Sequence, residues 1–377
     1  MKVKKLSKFT LSVYRPFSPH VIEALKECSI GEFYLEQARA IVSVEKKGLL
    51  FGTRKDILEN IIDVYSFNTP PESENIVFSH FIKNLGLNQE GRGSIFVEPA
   101  VSIEDTGMNS SVPDDIPLGT AKTKWMGIYC IIQRGRGELI AKAALDHGIC
   151  VPAVYYGVGG GVRDRMGLIR ITIPAEKEMI NLIVTEHDCQ GLLNILIDAG
   201  NLDRPGMGFI FDYPVSSALI DTRSYIGTNM SAASSGQIIN AIDEIKGNSD
   251  WRKRHINPLN SKKRKFLNDL EDIILTCKDE KAREMLNVAM SAGAAGATIS
   301  HSIKAVFSPD LKTISKSPVE VSDMVVDSSV RKPVISALKQ AGFFTPEVGG
   351  SIMIKKSVRA FSYFEKRTPY SSSNPSS

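Results

Sequence analysis

Apolar and polar positions along this chain switch between two periods. In the middle, an apolar run at 125–132 is broken by Gln133-Arg134-Gly135-Arg136-Gly137. The segment at 138–147 carries Leu139, Ile140, Ala143 and Ala144 at helical spacing and stops at Gly148, a natural helix-ending glycine. A second apolar run at 151–158 enters the glycine-rich Gly157-Val-Gly-Gly-Gly161. A third, at 179–184, precedes an apolar-periodic segment at 189–199 that ends at Gly200. With a short run at 209–213, the predicted order is β-α-β, loop, β-α-β, a ferredoxin-like split unit.

The same order recurs on both sides. Residues 9–14, 21–28 and 38–44 predict β-α-β, and 60–67, 74–85 and 94–97 repeat it. After the middle unit come 272–276, 279–292 and 297–306, then 319–326, 330–341 and 351–354. The joints before each last strand resemble one another. Gly86 is followed by Gly91-Arg92-Gly93, Gly200 by Gly206 and Gly208, and Gly342 by Gly349 and Gly350. Each pairs a helix-ending glycine with a polar loop and a close glycine pair.

The middle unit, through Gly135-Arg-Gly137, Gly157–Gly161 and the segment from Asn201 to Gly208, resembles the P-II nitrogen-regulator family. The third unit matches at 292–301 and the first at 90–99. The resemblance implies an α+β fold of three tandem ferredoxin-like, P-II-like domains in one chain, a monomeric pseudo-trimer packed sheet to sheet. Their bounds are 5–103, 122–222 and 266–364, with linkers at 104–121 and 223–265 and a disordered tail at 365–377. It further implies a non-enzymatic, cytoplasmic regulator. An adenine nucleotide such as ATP or ADP, with or without Mg²⁺ and not covalently bound, or another small anion, would sit in the clefts between units. The regulated partner would be a protein such as a membrane transporter or an enzyme, met through the loops.

Glycines let backbone N–H groups approach an anion, and basic side chains add charge. The resemblance therefore selects Gly91, Arg92 and Gly93; Gly159, Gly160, Gly161, Arg163 and Arg165; Gly206 and Gly208; and Gly349, Gly350, Lys355, Lys356 and Arg359. The lysine that the family carries after the glycine pair is absent, its place taken by Ser94, Phe209 or Ser351. A degenerate scaffold without ligand, and a trimeric metal-tolerance fold of the CutA kind, are the competing readings. The loop at 45–55, basic around Leu49, Leu50 and Phe51, is either a partner-binding tip or a solvated hairpin.

Composition narrows the picture further. With 46 basic and 42 acidic residues among 377, the net charge of +4 gives no broad basic face, and nucleic acid is not an expected partner. The clusters at 251–254 and 262–265 read as a solvated tether. Five scattered cysteines without a C-x-x-C predict buried thiols in a reducing compartment. No apolar run approaches a membrane span. Six histidines show no paired spacing for a metal, and no catalytic constellation emerges; His301, at a strand end, is the one polar candidate kept.

Overall fold

The computed structural model describes residues 1–47, 53–107, 111–113, 116–118, 124–147, 150–161, 176–226, 238, 241–242, 245–246 and 264–363. The element order β-α-β-β-α-β occurs three times among them. The first pass comprises β1 (Lys2–Tyr14), α1 (Ser18–Glu27), β2 (Glu32–Lys47), β3 (Thr53–Thr69), α2 (Glu74–Leu85) and β4 (Gly93–Glu104). The second runs through β5 (Trp125–Gln133), α3 (Gly137–Leu145), β6 (Ala153–Gly161), β7 (Glu176–Thr185), α4 (Glu186–Gly200) and β8 (Gly208–Val215). Two short strands, β9 (Ser217–Leu219) and β10 (Tyr225–Ile226), follow it. The third has β11 (Leu267–Lys278), α5 (Ala282–Ser291), β12 (Gly296–Phe307), β13 (Ile314–Asp327), α6 (Ser328–Gln340) and β14 (Ser351–Ser362).

Local signals explain the boundaries. The Thr185 side chain accepts from the Asp188 N–H at the start of α4, and Asp327 accepts from the Ser329 N–H at the start of α6. Gly86, at φ +62°, ends α2 in the left-handed region, whereas α4 runs through Gly200 and ends at Asn201 with φ +51°. Along the strands, alternate side chains face opposite ways. Phe9, Leu11 and Val13 of β1 pack under α1 and α2 with Phe67, Phe81 and Ile95. Ile128 and Cys130 play the same part under α3 and α4, and Ile273 and Leu275 under α5 and α6. All five cysteines are free, and four are buried.

The sheet corrects the expected fold class. Three tandem α+β, ferredoxin-like domains were expected, but the strands among the described residues form one 14-stranded sheet in the order β10-β2-β3-β1-β4-β14-β11-β13-β12-β6-β7-β5-β8, with β9 beside β4. Further pairings of β2 with β12 and β6, and of β14 with β8, join the sheet to itself as a closed ten-strand antiparallel barrel. The molecule is mainly β. The physical reason lies in the edges. A separate four-strand domain leaves two rows of backbone N–H and C=O groups unpaired. Here β14 pairs with β11 on one side and with both β4 and β8 on the other, and β12 pairs with β13, β2 and β6.

Segments beyond the last strands tighten the closure. Val112 and Ile116, in what read as a polar linker, are buried in the core of α5 and α6, while Lys339 donates to Gly107 O at 2.7 Å. Asp221 N–H donates to Ser94 Oγ at 2.8 Å beside β4. At the β14–β8 seam, Arg359 grips Asp212 from Nε at 2.8 Å and its own backbone N–H at 2.7 Å. Among the described residues no helix is long and apolar enough to cross a membrane.

Arg359→Ala leaves the carboxylate of Asp212, whose side chain is 0% exposed, without its cation. The expected loss is roughly 3–5 kcal/mol of unfolding free energy, seen as a lower urea midpoint with an unchanged m-value. A loss below about 0.5 kcal/mol would show that the seam does not depend on this pair.

Candidate functional site: the barrel lumen and the outer glycine loops

The predicted anion-binding residues scatter over three environments. At the first glycine loop, the Gly91 N–H donates to Asp221 Oδ1 at 3.1 Å, and the Arg223 N–H reaches the same oxygen at 2.9 Å. Arg92 turns aside, donating to Gln89 Oε1 and lying 4.4 Å over the Phe17 ring. Gly93 is required by backbone packing: its φ is +137°, and a Cβ there would lie 2.0 Å from Ser12 O. At the third loop the Gly349 and Gly350 N–H groups donate to Thr345 O and Phe343 O. At the second, Gly206 O accepts from Gln133 Nε2 at 3.2 Å, and Gly208 packs against Ile131 O.

Gly159, Gly160 and Gly161 sit within β6, in register with Thr298, Ala297 and Gly296 of β12, so they form a ladder rather than a turn. Arg163 and Arg165 lie outside the described residues, as does the tip of the 45–55 loop. Lys355, Lys356 and Arg359 belong to β14 itself rather than to a segment beyond the strand. Arg359 is committed to Asp212 and Lys355 points into the barrel, while Lys356, one residue on, takes the opposite face.

The inward face of the strands builds a site that the sequence reading missed. It encloses a cavity of about 240 Å³. Lys8 and Glu98 lie opposite each other on β1 and β4, as do Asp272 and Lys355 on β11 and β14. Lys355 Nζ joins the two pairs, 2.6 Å from Glu98 Oε1 and 3.3 Å from Asp272 Oδ2, while Lys8 Nζ is 3.2 Å from Glu98 Oε2. The Lys355 ammonium also lies 5.0 Å from the centre of the Tyr213 ring, whose hydroxyl donates to Asn181 Oδ1 at 2.6 Å. Glu36 accepts from Ser300 Oγ at 3.1 Å. Three buried atoms on the cavity wall, Thr10 Oγ1, Asn68 Oδ1 and Asp272 Oδ1, have no hydrogen-bond partner among the described residues.

Burial and neighbouring charge split these acids. Burial alone would raise Glu98, but Lys355 and Lys8 hold it below the usual carboxylate range. Asp323 has the opposite balance: burial and the adjacent Asp272 charge push it up to about 7, against the pull of Lys355 and Lys8. Burial also raises Glu36. Lys355 is held above its ordinary value because Glu98, Asp272 and Asp323 outweigh its desolvation. The signal for this site was present in the sequence as charged residues at alternate positions inside otherwise apolar strands, as at Lys8, Glu98, Asp272, Asp323 and Lys355.

A separate cluster can hold a metal ion. Asp279, His301 and Glu320 each bring one ligand atom within 4.8 Å of the others. Glu320 already accepts from the Ala282 N–H at 2.8 Å, and His301 Nδ1 is 3.5 Å from Asp279. The equivalent carboxylates of the other passes, Asp63 and Glu178, meet Arg15 at 3.4 Å and Arg39 at 2.8 Å instead.

No protein-family model matches the chain, and no curated protein matches it. Among solved structures, the PII protein of Arabidopsis thaliana bound to citrate is similar at 23% identity, covering 25% of this chain and 78% of that one, with a TM-score of 0.21.

The lumen acids make stability depend on pH. Asp323 has a folded-state pKa above its unfolded value, so its contribution is fully present below about pH 4 and is lost as pH rises through about 7. Within that window the loss from this one group is at most about 1.4 kcal/mol per pH unit. Asp323→Asn is expected to flatten the slope of unfolding free energy between pH 4 and 7, measured by urea titration at each pH; an unchanged slope would place the titration elsewhere.

Proposed function

We propose that this chain is a non-catalytic binding protein, a regulator that admits a small polar molecule to the barrel lumen and signals its presence to a partner. The observation that supports this reading is a preformed cavity whose wall includes Asp272 Oδ1, Thr10 Oγ1 and Asn68 Oδ1, none with a partner among the described residues. Each buried polar group left unpaired costs about 1–3 kcal/mol. Three around one cavity become intelligible when a guest or ordered water completes them.

Size limits the guest. A cavity of about 240 Å³ lies below the usual range of roughly 300–1,000 Å³ for ligand pockets, which favours a guest smaller than an adenine nucleotide. Nucleotide binding belongs, as a second reading, to the outer loops. One observation favours it there: two backbone N–H groups, of Gly91 and Arg223, converge on the Asp221 carboxylate, so this loop already accommodates an anion. A nucleotide phosphate would take the place of Asp221. The partner, a transporter or an enzyme, is assigned to the basic and apolar loop at 45–55.

Thermal denaturation of the wild type and of Asp221→Ala separates the readings. The panel pairs small polar compounds with ATP, ADP, AMP and bicarbonate. A lumen guest should protect both proteins alike, by about 2.7 kcal/mol at a hundredfold excess over Kd. Protection by nucleotides alone, greater in Asp221→Ala, would move the site to the outer loop. No protection from any compound would leave a scaffold.

A further inference from the structure

We infer that the guest of the lumen is a small monovalent cation carrying N–H donors, an ammonium ion or a primary alkylammonium; this rests on the lumen being a binding site. The first argument is a charge count. Glu36, Glu98, Asp272 and Asp323 line the cavity against two ammonium groups, those of Lys8 and Lys355. Glu32, also on the wall, has its own cation in Lys304 at 2.9 Å. Both lumen lysines contact Glu98, and Lys355 extends to one oxygen of Asp272. Glu36 and Asp323 are left without a paired cation: Glu36 has the Ser300 hydroxyl, and no hydrogen bond reaches the Asp323 carboxylate among the described residues. The lumen is thus two positive charges short.

A second, independent argument is the type of atom left unpaired. Asp272 Oδ1 and Asn68 Oδ1 are acceptors without donors, and Thr10 Oγ1 accepts as readily as it donates. A primary ammonium brings three N–H donors and one of the two missing charges, the second carboxylate being left to a proton. A bare alkali ion supplies the charge and no donor. An anion would face two uncompensated carboxylates, and a neutral guest would leave the charge as it stands.

The wall also displays how it treats such a group. The Lys355 ammonium is seated between Glu98 and Asp272 with the Tyr213 ring 5.0 Å beneath it. Tyr129 and Tyr155 present further ring surface to the same cavity, and an ammonium over an aromatic face is attracted by the ring quadrupole. A guest ammonium would meet the same combination of carboxylate and aromatic ring without displacing either lysine. The competing way to neutralise Asp323 and Glu36 is to protonate them, which needs no guest.

The full chain is titrated with methylammonium chloride, and in parallel with tetramethylammonium, sodium and potassium chlorides at matched ionic strength. Melting temperature and calorimetric heat are read together. The expected result is a saturating rise in melting temperature with methylammonium alone and one calorimetric site per chain. Asp323→Asn should weaken that binding tenfold or more. The ranking of the four salts on the wild type tests the inference even where the variant folds poorly. Equal responses to all four salts would mean charge screening, and a response to potassium matching that to methylammonium would remove the role of the N–H donors. No response to any of them would mean that the acids are neutralised by protons. A neutral or anionic compound that protects wild type and Asp323→Asn equally would keep the lumen as a binding site and overturn the cation; silence from every class of compound would overturn both.

Discussion

Backbone pairing at β14 is the constraint on which the rest of this molecule depends. A strand inside a barrel must satisfy its N–H and C=O groups on both sides. This one does so with β11 along one side and with β4 and then β8 along the other. Residues 352–355 serve the first pass of the chain, and 359–362 serve the second. Two ionic contacts lie along those seams. Lys355 spans the join to β4 through Glu98, and Arg359 spans the join to β8 through Asp212. A one-residue slip of β14 would turn Lys355 outward and place Ile354 in the lumen, so the ion pairs specify register more than they add stability.

The two faces of the sheet divide the work. Outside, the helices bury Phe9, Leu11, Ile128, Ile273 and their neighbours in three ordinary apolar cores. Inside, the strands meet one another across a narrow space, and there the chain has placed lysines, carboxylates and tyrosines. A purely structural interior would be simpler to stabilise with apolar side chains, because desolvating ions is expensive. Retention of Glu36, Asp272 and Asp323 around an open volume is therefore the part of the structure least explained by folding alone.

Much of this was legible in the sequence, and the failures share a cause. Helical spacing located the helices; Gly86 ends α2 as its position predicts, whereas Gly200, expected to end a helix, lies within α4. The outward strand residues gave clear alternation. The inward ones are polar, so strand lengths were underestimated: β1 begins at Lys2 rather than near Phe9, and β14 runs to Ser362 rather than Ile354. That error turned Lys355 and Arg359 into residues beyond a strand when they lie within one. Edge pairing between distant strands leaves no local trace, which is why separate domains were expected and a closed barrel was found. His301 attracted notice by itself, but Asp279 and Glu320 reach it only through the fold.

The position of β14 in the chain has a consequence for synthesis. The ribosome delivers the first and second passes long before β14, the strand that pairs with both. At roughly 5–20 residues per second, residues 100–103 of β4 would wait on the order of ten seconds to a minute for β14. During that interval the long strands of the first pass present open hydrogen-bonding edges, and the polar lumen face is still a wetted surface. A nascent chain can tolerate such a delay because the waiting face carries Lys8, Thr10 and Glu98 rather than a continuous apolar stripe. The charges that later line the interior thus also act, earlier, as guards against premature association with a neighbouring chain.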